Sequence, residues 1–167
     1  MKALYRGAER LMSMDDTAWA RHANPLSAYS RFTILPLLSL AIWSRVWLGW
    51  GVVALVILVL IWTWVNPRLF PPPKSLDNWA SRGVLGERVF LNRRNDVAAH
   101  HRAWADRLSL GSLPGAVVLV IGLIWLWPWW VIFGIALTVL PKVWFVDRMV
   151  WLYADWLRDN NKELGDV

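Results

Sequence analysis

Residues 113–146 read LPGAVVLVIGLIWLWPWWVIFGIALTVLPKVWFV, an apolar run broken near its middle at Trp127-Pro128-Trp129. One crossing of a hydrocarbon layer about 30 Å thick takes about 20 residues, so this run is too long for a single span. A second run of the same kind, 32–65, breaks at Gly49-Trp50-Gly51. Each therefore reads as a helical hairpin. The expected fold class is all-α: a polytopic membrane protein of two transmembrane helical hairpins, hence four membrane helices, with amphipathic cytoplasmic interface helices. The apolar cores of the four helices are short, so their Trp and Arg flanks must complete the span, or the bilayer must thin locally.

Charge sets the orientation. Neither hairpin tip carries a basic residue. The N-terminal arm carries five Lys/Arg, the middle segment eight, and the tail four when Lys142 at the inner end of the second run is counted with it. The positive-inside rule then puts all three in the cytoplasm and both tips outside. The expected organisation is one membrane domain: 1–31 a cytoplasmic arm with an interface helix, 32–65 the first hairpin, 66–112 a cytoplasmic interface segment, 113–146 the second hairpin, and 147–167 a cytoplasmic stalk and tail. The expected location is the inner (cytoplasmic) membrane, with both termini cytoplasmic. The first residues hold charges but no apolar h-region, so no cleavable signal peptide is expected.

The 57% apolar content fits a chain half surrounded by lipid. The net charge of +6 lies beside the membrane segments, where it meets anionic headgroups, so nucleic acid is not expected as a partner. With no cysteine, disulfides, thiolate metal sites and cysteine nucleophiles are excluded. Twelve of the fifteen Trp form two expected interfacial belts. Trp43, Trp47, Trp50, Trp125, Trp127, Trp129 and Trp130 mark the outer level, and Trp62, Trp64, Trp144, Trp151 and Trp156 the inner, because indole buries its ring while its N–H stays wet. Arg45, one turn from the outer tip, is expected to snorkel there as an anchor.

Ser13 and Asp16 have capping-box spacing and start a short helix over 14–23. Asn24-Pro25 ends it and opens the next, with Pro at N1. Pro36 is expected to kink that helix as it enters the membrane. The second membrane helix should stop at Asn66-Pro67, before the stiff Pro71-Pro72-Pro73 spacer. Ser75 caps a helix containing Trp79, which Gly83 and Gly86 should interrupt. Asn95 should cap a helix over 96–108 whose Val97, His101, Trp104 and Leu108 form an apolar stripe. The fourth membrane helix should run from Trp129 through Pro141 to Arg158 without a break.

Chemistry is sparse. The apolar runs hold no Asp, Glu or His, the groups that proton pumps and ion-coupled carriers use. His22, Glu87, His100 and Asp147 share the cytoplasmic interface. They are the catalytic candidates, and as N and O donors they are also the candidates for a Zn, Mn or Fe site. No HxxxH or ExxH spacing supports such a site, and no cofactor is assigned. Adjacent His100 and His101 should point about 100° apart on a helix, with His100 oriented instead by Asp96 at i, i+4. Asp147 needs a partner, expected from Arg31, Arg82 or Arg88. Trp144 and Arg148 have cation–π spacing, and Asp155 and Arg158 ion-pair spacing. Lipid or ligand contacts are expected from Arg31, Arg82, Arg88, Arg148, Trp144 and Trp151.

The stretches WARHANPLSAYSRF (19–32), GVLGERVFLNRR (83–94) and KVWFVDRMVWLY (142–153) resemble those of an uncharacterised prokaryotic family of small tryptophan-rich integral membrane proteins. The resemblance implies the four-helix membrane fold and no catalytic residue. The expected function is a non-enzymatic accessory or scaffold subunit. It would pack against lipid and protein partners, within a larger membrane complex, and bind anionic lipid headgroups at its basic cytoplasmic face. The alternative is a small interfacial enzyme acting on a lipidic substrate through the His22, Glu87, His100 and Asp147 cluster.

Overall fold

The computed structural model describes residues 15–166, and all regular structure among them is helical. The helices are α1 (Asp16–His22), α2 (Pro25–Arg31), α3 (Ile34–Trp43), α4 (Arg45–Leu48), α5 (Val52–Leu69), α6 (Trp79–Asn92), α7 (Ala99–Gly111), α8 (Leu113–Trp125) and α9 (Pro128–Asp159), with a 3-10 turn over Gly49–Gly51. Three helical stretches are long and apolar enough to cross a membrane: Pro25–Leu69, Ala99–Trp125 and Pro128–Asp159.

Local chemistry explains most boundaries. Ser13 of the expected capping box lies outside the described residues. Within them Asp15 is the N-cap of α1, accepting from Ala18 N at 2.7 Å. Asn24 caps α2 by accepting from Leu26 N, with Pro25 at N1 as expected. The helix then tightens at Phe32-Thr33, whose N–H groups bond back three residues to Tyr29 and Ser30. Pro36 accounts for this position, because its ring crowds the carbonyl four residues earlier, that of Phe32. At the far end of α3 and α4, Gly49 adopts φ +51°, a left-handed conformation that only glycine takes at little cost. Beyond it α5 lies against α3, α2 and α1. It continues past Asn66-Pro67 to Leu69, two residues beyond the stop expected from sequence. Buried Asn66 is held by α2, which fixes this last turn.

Two long helices organise the rest. The apolar part of α9 packs against α8 at near-backbone distance, because Gly115, Gly122 and Gly134 present no side chain at the crossing. The stalk of α9 carries the largest buried core, where Phe145, Met149, Leu152 and Trp156 meet Phe90 of α6 and Leu108 of α7. Trp156 is thus a core residue and not part of an inner belt, whereas Trp64, Trp144 and Trp151 are exposed. The stripe of Val97, His101, Trp104 and Leu108 packs on α9, so its occupant is a partner helix.

Several sequence expectations are corrected here. α6 runs unbroken through Gly83 and Gly86, because both glycines face α9 at a crossing too close for a Cβ. Its N-cap is Asn78, accepting from Ser81 N at 2.9 Å, while Ser75 serves only the turn before it. α7 begins at Ala99 and ends at Gly111, so Asn95 is not its cap and Asp96 lies in the preceding turn. Arg45 does not snorkel away from the protein. Its guanidinium donates to the carbonyls of Leu123 and Ile124, two of the orphan acceptors at the C-terminus of α8.

Much of the apolar surface stays uncovered. Leu40, Leu58, Val117, Ile132 and Leu140, on α3, α5, α8 and α9, are all more than half exposed. In water such a surface would be a severe liability; in hydrocarbon it costs nothing.

Candidate functional site

A cavity of about 410 Å³ opens between α2, α3, α6 and α9. Its lining changes character along the helices. His22, Arg31, Glu87 and Lys142 line it on the side where α2 leaves α1 and α9 becomes the stalk. One to two turns further into the apolar runs, Leu35, Leu38, Thr63 and Val139 take over.

The polar side is built on a directed hydrogen-bond chain. Arg31 Nη1 lies 2.6 Å from His22 Nε2, and a guanidinium can only donate. Nε2 is therefore the acceptor, and Nδ1 carries the proton and donates to Ser27 Oγ at 3.0 Å. The Ser27 hydroxyl donates to Asn66 Oδ1 at 3.0 Å, and Asn66 Nδ2 donates to Ser30 Oγ at 2.6 Å. Ser27 and Asn66 are fully buried, so each needs the other's partner. Burial, then Arg31, drags the His22 pKa from 6.5 down to about 3, with Glu87 pulling the other way. His22 is neutral at physiological pH.

Glu87 sits opposite, 3.4 Å from Lys142 Nζ. Burial alone would raise its pKa, but Lys142 and Arg31 outweigh that and hold it below the usual carboxylate value. With His22 neutral, two cations face one carboxylate, and the mouth of the cavity carries an excess positive charge.

Of the four residues expected to cluster, only His22 and Glu87 line this cavity. Asp147 lies beside it, and its partner is none of the three expected arginines: the Trp79 indole N–H donates to it at 3.0 Å. The arginines are engaged elsewhere. Arg82 pairs with Asp77 at 2.6 Å, Arg88 with Asp16, and Arg31 with His22. Arg148 lies over the rings of Trp104 and Trp151, at 5.7 and 5.9 Å; Trp144, its expected cation–π partner, packs against Trp104 instead.

His100 joins a different group. Its ring centroid is 4.1 Å from that of His101, and Asp155 accepts from His101 Nε2 at 2.9 Å. The expected divergence of His100 and His101 fails because a shared helix fixes only their Cβ directions; the side-chain torsions bring the rings together. The expected Asp96–His100 pairing on one helix is lost because α7 begins after Asp96. Asp155 also holds Arg158 at 3.0 Å, as its spacing predicts.

Sequence reasoning passed over Lys142, Ser27 and Asn66. Lys142 had a signal, as the one cation besides Arg45 inside an apolar run. Asn66 had none, because an Asn before Pro reads as a helix stop.

No match is found among curated proteins or among solved structures. A family described as a family of unknown function, DUF6653, matches residues 6–164. Covering nearly the whole chain, that match makes this protein a member of the DUF6653 family.

Proposed function

We propose that the chain is a non-enzymatic accessory or scaffold protein of the inner membrane that holds one anionic amphiphile in the cavity between α2, α3, α6 and α9. In this reading it crosses the bilayer four times, as two hairpins with both tips outside and both termini cytoplasmic. The return of α5 along α3 and the basic flanks support that topology.

The observation that carries the reading is the polarity of the cavity. Arg31 and Lys142 sit at the interfacial side, where an anionic headgroup would lie, and Leu35, Leu38 and Val139 line the depth that its hydrocarbon would enter. A volume of about 410 Å³ accommodates a headgroup and part of a chain, within the usual span of small-molecule sites. Lys142 is half exposed, paired with Glu87 at 3.4 Å and lying over the Phe145 ring at 4.4 Å, both weak contacts for an exposed ammonium, so it can turn to a bound anion at small cost. The uncovered apolar faces of α3, α5, α8 and α9 pack against bulk lipid and against protein partners.

The test is native mass spectrometry of protein purified in lipid nanodiscs containing equal anionic and zwitterionic lipid. The expected result is retention of one anionic lipid, reduced several-fold in Lys142→Gln, which leaves the His22–Ser27–Asn66 chain untouched. Equal retention of the two lipid classes would overturn the proposal.

A further inference from the structure

We propose a divalent-cation site at the junction of α7 and α9, built from His100, His101 and Asp155 and suited to Zn2+ or a similar borderline ion. One ring nitrogen from each histidine and one carboxylate oxygen all lie within 4.8 Å of one another. Three such donors with an open position make up the protein half of a common tetrahedral zinc site.

Three further observations point the same way. The group borders a cavity of about 20 Å³, room for one water or one ion, lined by His101 and by the carboxylates Asp96, Asp155 and Asp159. Carboxylates gathered around so small a space favour a cation in it. His101 is only 2% exposed, lines this cavity, and has a buried Nδ1 without a hydrogen-bond partner. Buried ring nitrogens are seldom left so unless something else satisfies them. Finally, the carboxylate is oriented: Arg158 takes Asp155 Oδ1 at 3.0 Å, which leaves Oδ2 turned toward His101 at 2.9 Å. Such outer contacts fix the ligands of metal sites.

The donor set selects the ion. Two imidazoles and one carboxylate are poor ligands for Mg2+ or Ca2+, which want oxygen, and good ones for Zn2+, Co2+ or Ni2+. His100 is exposed, so the ion enters from the aqueous side. Bound there, it would clamp the first turn of α7 to the end of the α9 stalk. This site lies apart from the α2, α3, α6 and α9 cavity and does not depend on the amphiphile reading.

The experiment uses the full chain without a His-tag, stripped with chelator and titrated with Zn2+ and with Co2+. The expected result is about one equivalent of Zn2+ bound, a rise in Tm on binding, and the visible d–d bands of low-coordinate Co2+. His100→Ala and Asp155→Asn should each weaken binding by about 10-fold or more and abolish the Co2+ spectrum. His100 is exposed, so its replacement leaves the fold intact and the comparison readable. Absence of stoichiometric Zn2+, or binding unchanged in both variants, would overturn the site.

Discussion

Gly86 of α6 lies against the backbone of Met149 on α9, so close that a Cβ on residue 86 would overlap the Met149 carbonyl. That contact sets the distance between α6 and the α9 stalk, and with it the position of Glu87, the next residue, relative to Lys142. Gly86→Ala gains up to about 1 kcal/mol of helix propensity but must push two helices apart in the main core. Overpacking of this kind costs about 1–3 kcal/mol, and a clash with backbone belongs at the upper end. The expected outcome is a clear drop in Tm in detergent. Gly111→Ala is the control, since its Cβ would meet only Pro141 Cβ at 3.9 Å, and it should be neutral or slightly stabilising.

Arg45 ties the α4 turn between α3 and α5 to the end of α8. Its bonds to the Leu123 and Ile124 carbonyls involve a charged donor and helix-terminal acceptors, each worth about 1.5–3 kcal/mol at most. Arg45→Ala should therefore lower stability by about 1–3 kcal/mol, and Arg45→Lys should recover part of it. An anchor that merely reached the headgroups would lose almost nothing on Arg45→Lys, so the size of the lysine deficit separates the two roles.

These two cases show where sequence is informative. The α9 helix was readable nearly to the residue, expected over 129–158 and found as Pro128–Asp159, because unbroken helical spacing is a local property. Gly83 and Gly86 misled for the same reason: their low helix propensity is local, whereas the close crossing that requires them is tertiary. The candidate cavity follows this division. His22 and Glu87 stood out as interfacial titratable groups, but their meeting depends on α1 and α6 packing together, which no spacing encodes. His100 and His101 were separated by a helix-angle argument that ignored side-chain torsions and α9, which supplies Asp155.

Neutral His22 makes the fold acid-sensitive in a defined window. Its pKa is about 3 in the folded protein against 6.5 unfolded, so between those values the unfolded chain binds the extra proton. Stability is then full above about pH 6.5 and falls as pH drops, by about 1.4 kcal/mol per unit at the steepest. Glu87 acts lower down: its pKa is held below 4.5, so its contribution is lost only as pH falls below that value. Between pH 6.5 and 4.5 the loss belongs to the two buried histidines, His22 and His101, since burial also lowers the His101 pKa from 6.5. Chemical denaturation at pH 7.5 and 5.0 should show wild type losing stability and His22→Gln losing less, with His101 supplying the remainder. A wild-type protein equally stable at both values would contradict the buried neutral imidazole.

The last prediction concerns topology, where three candidate crossings and four make opposite demands. A chain crossing three times must leave its termini on opposite sides of the membrane; one crossing four times returns them to the same side. Ser27 and Asn66 lie near opposite ends of the 25–69 stretch, yet they share a 3.0 Å hydrogen bond, so that stretch folds back on itself. A segment that begins and ends at one level brings Lys74 to the side from which it started. Reporter fusions at the N-terminus, at Lys74 and at the C-terminus should therefore all score cytoplasmic, and tags at Gly49 or Pro128 should be labelled from outside. The eight basic residues of the middle segment make the reverse placement of Lys74 costly, since each would have to be carried across the bilayer. An outward Lys74 reporter would end the two-hairpin proposal. It would also put Arg31 and Glu87 on different sides of the membrane, although both line the same cavity.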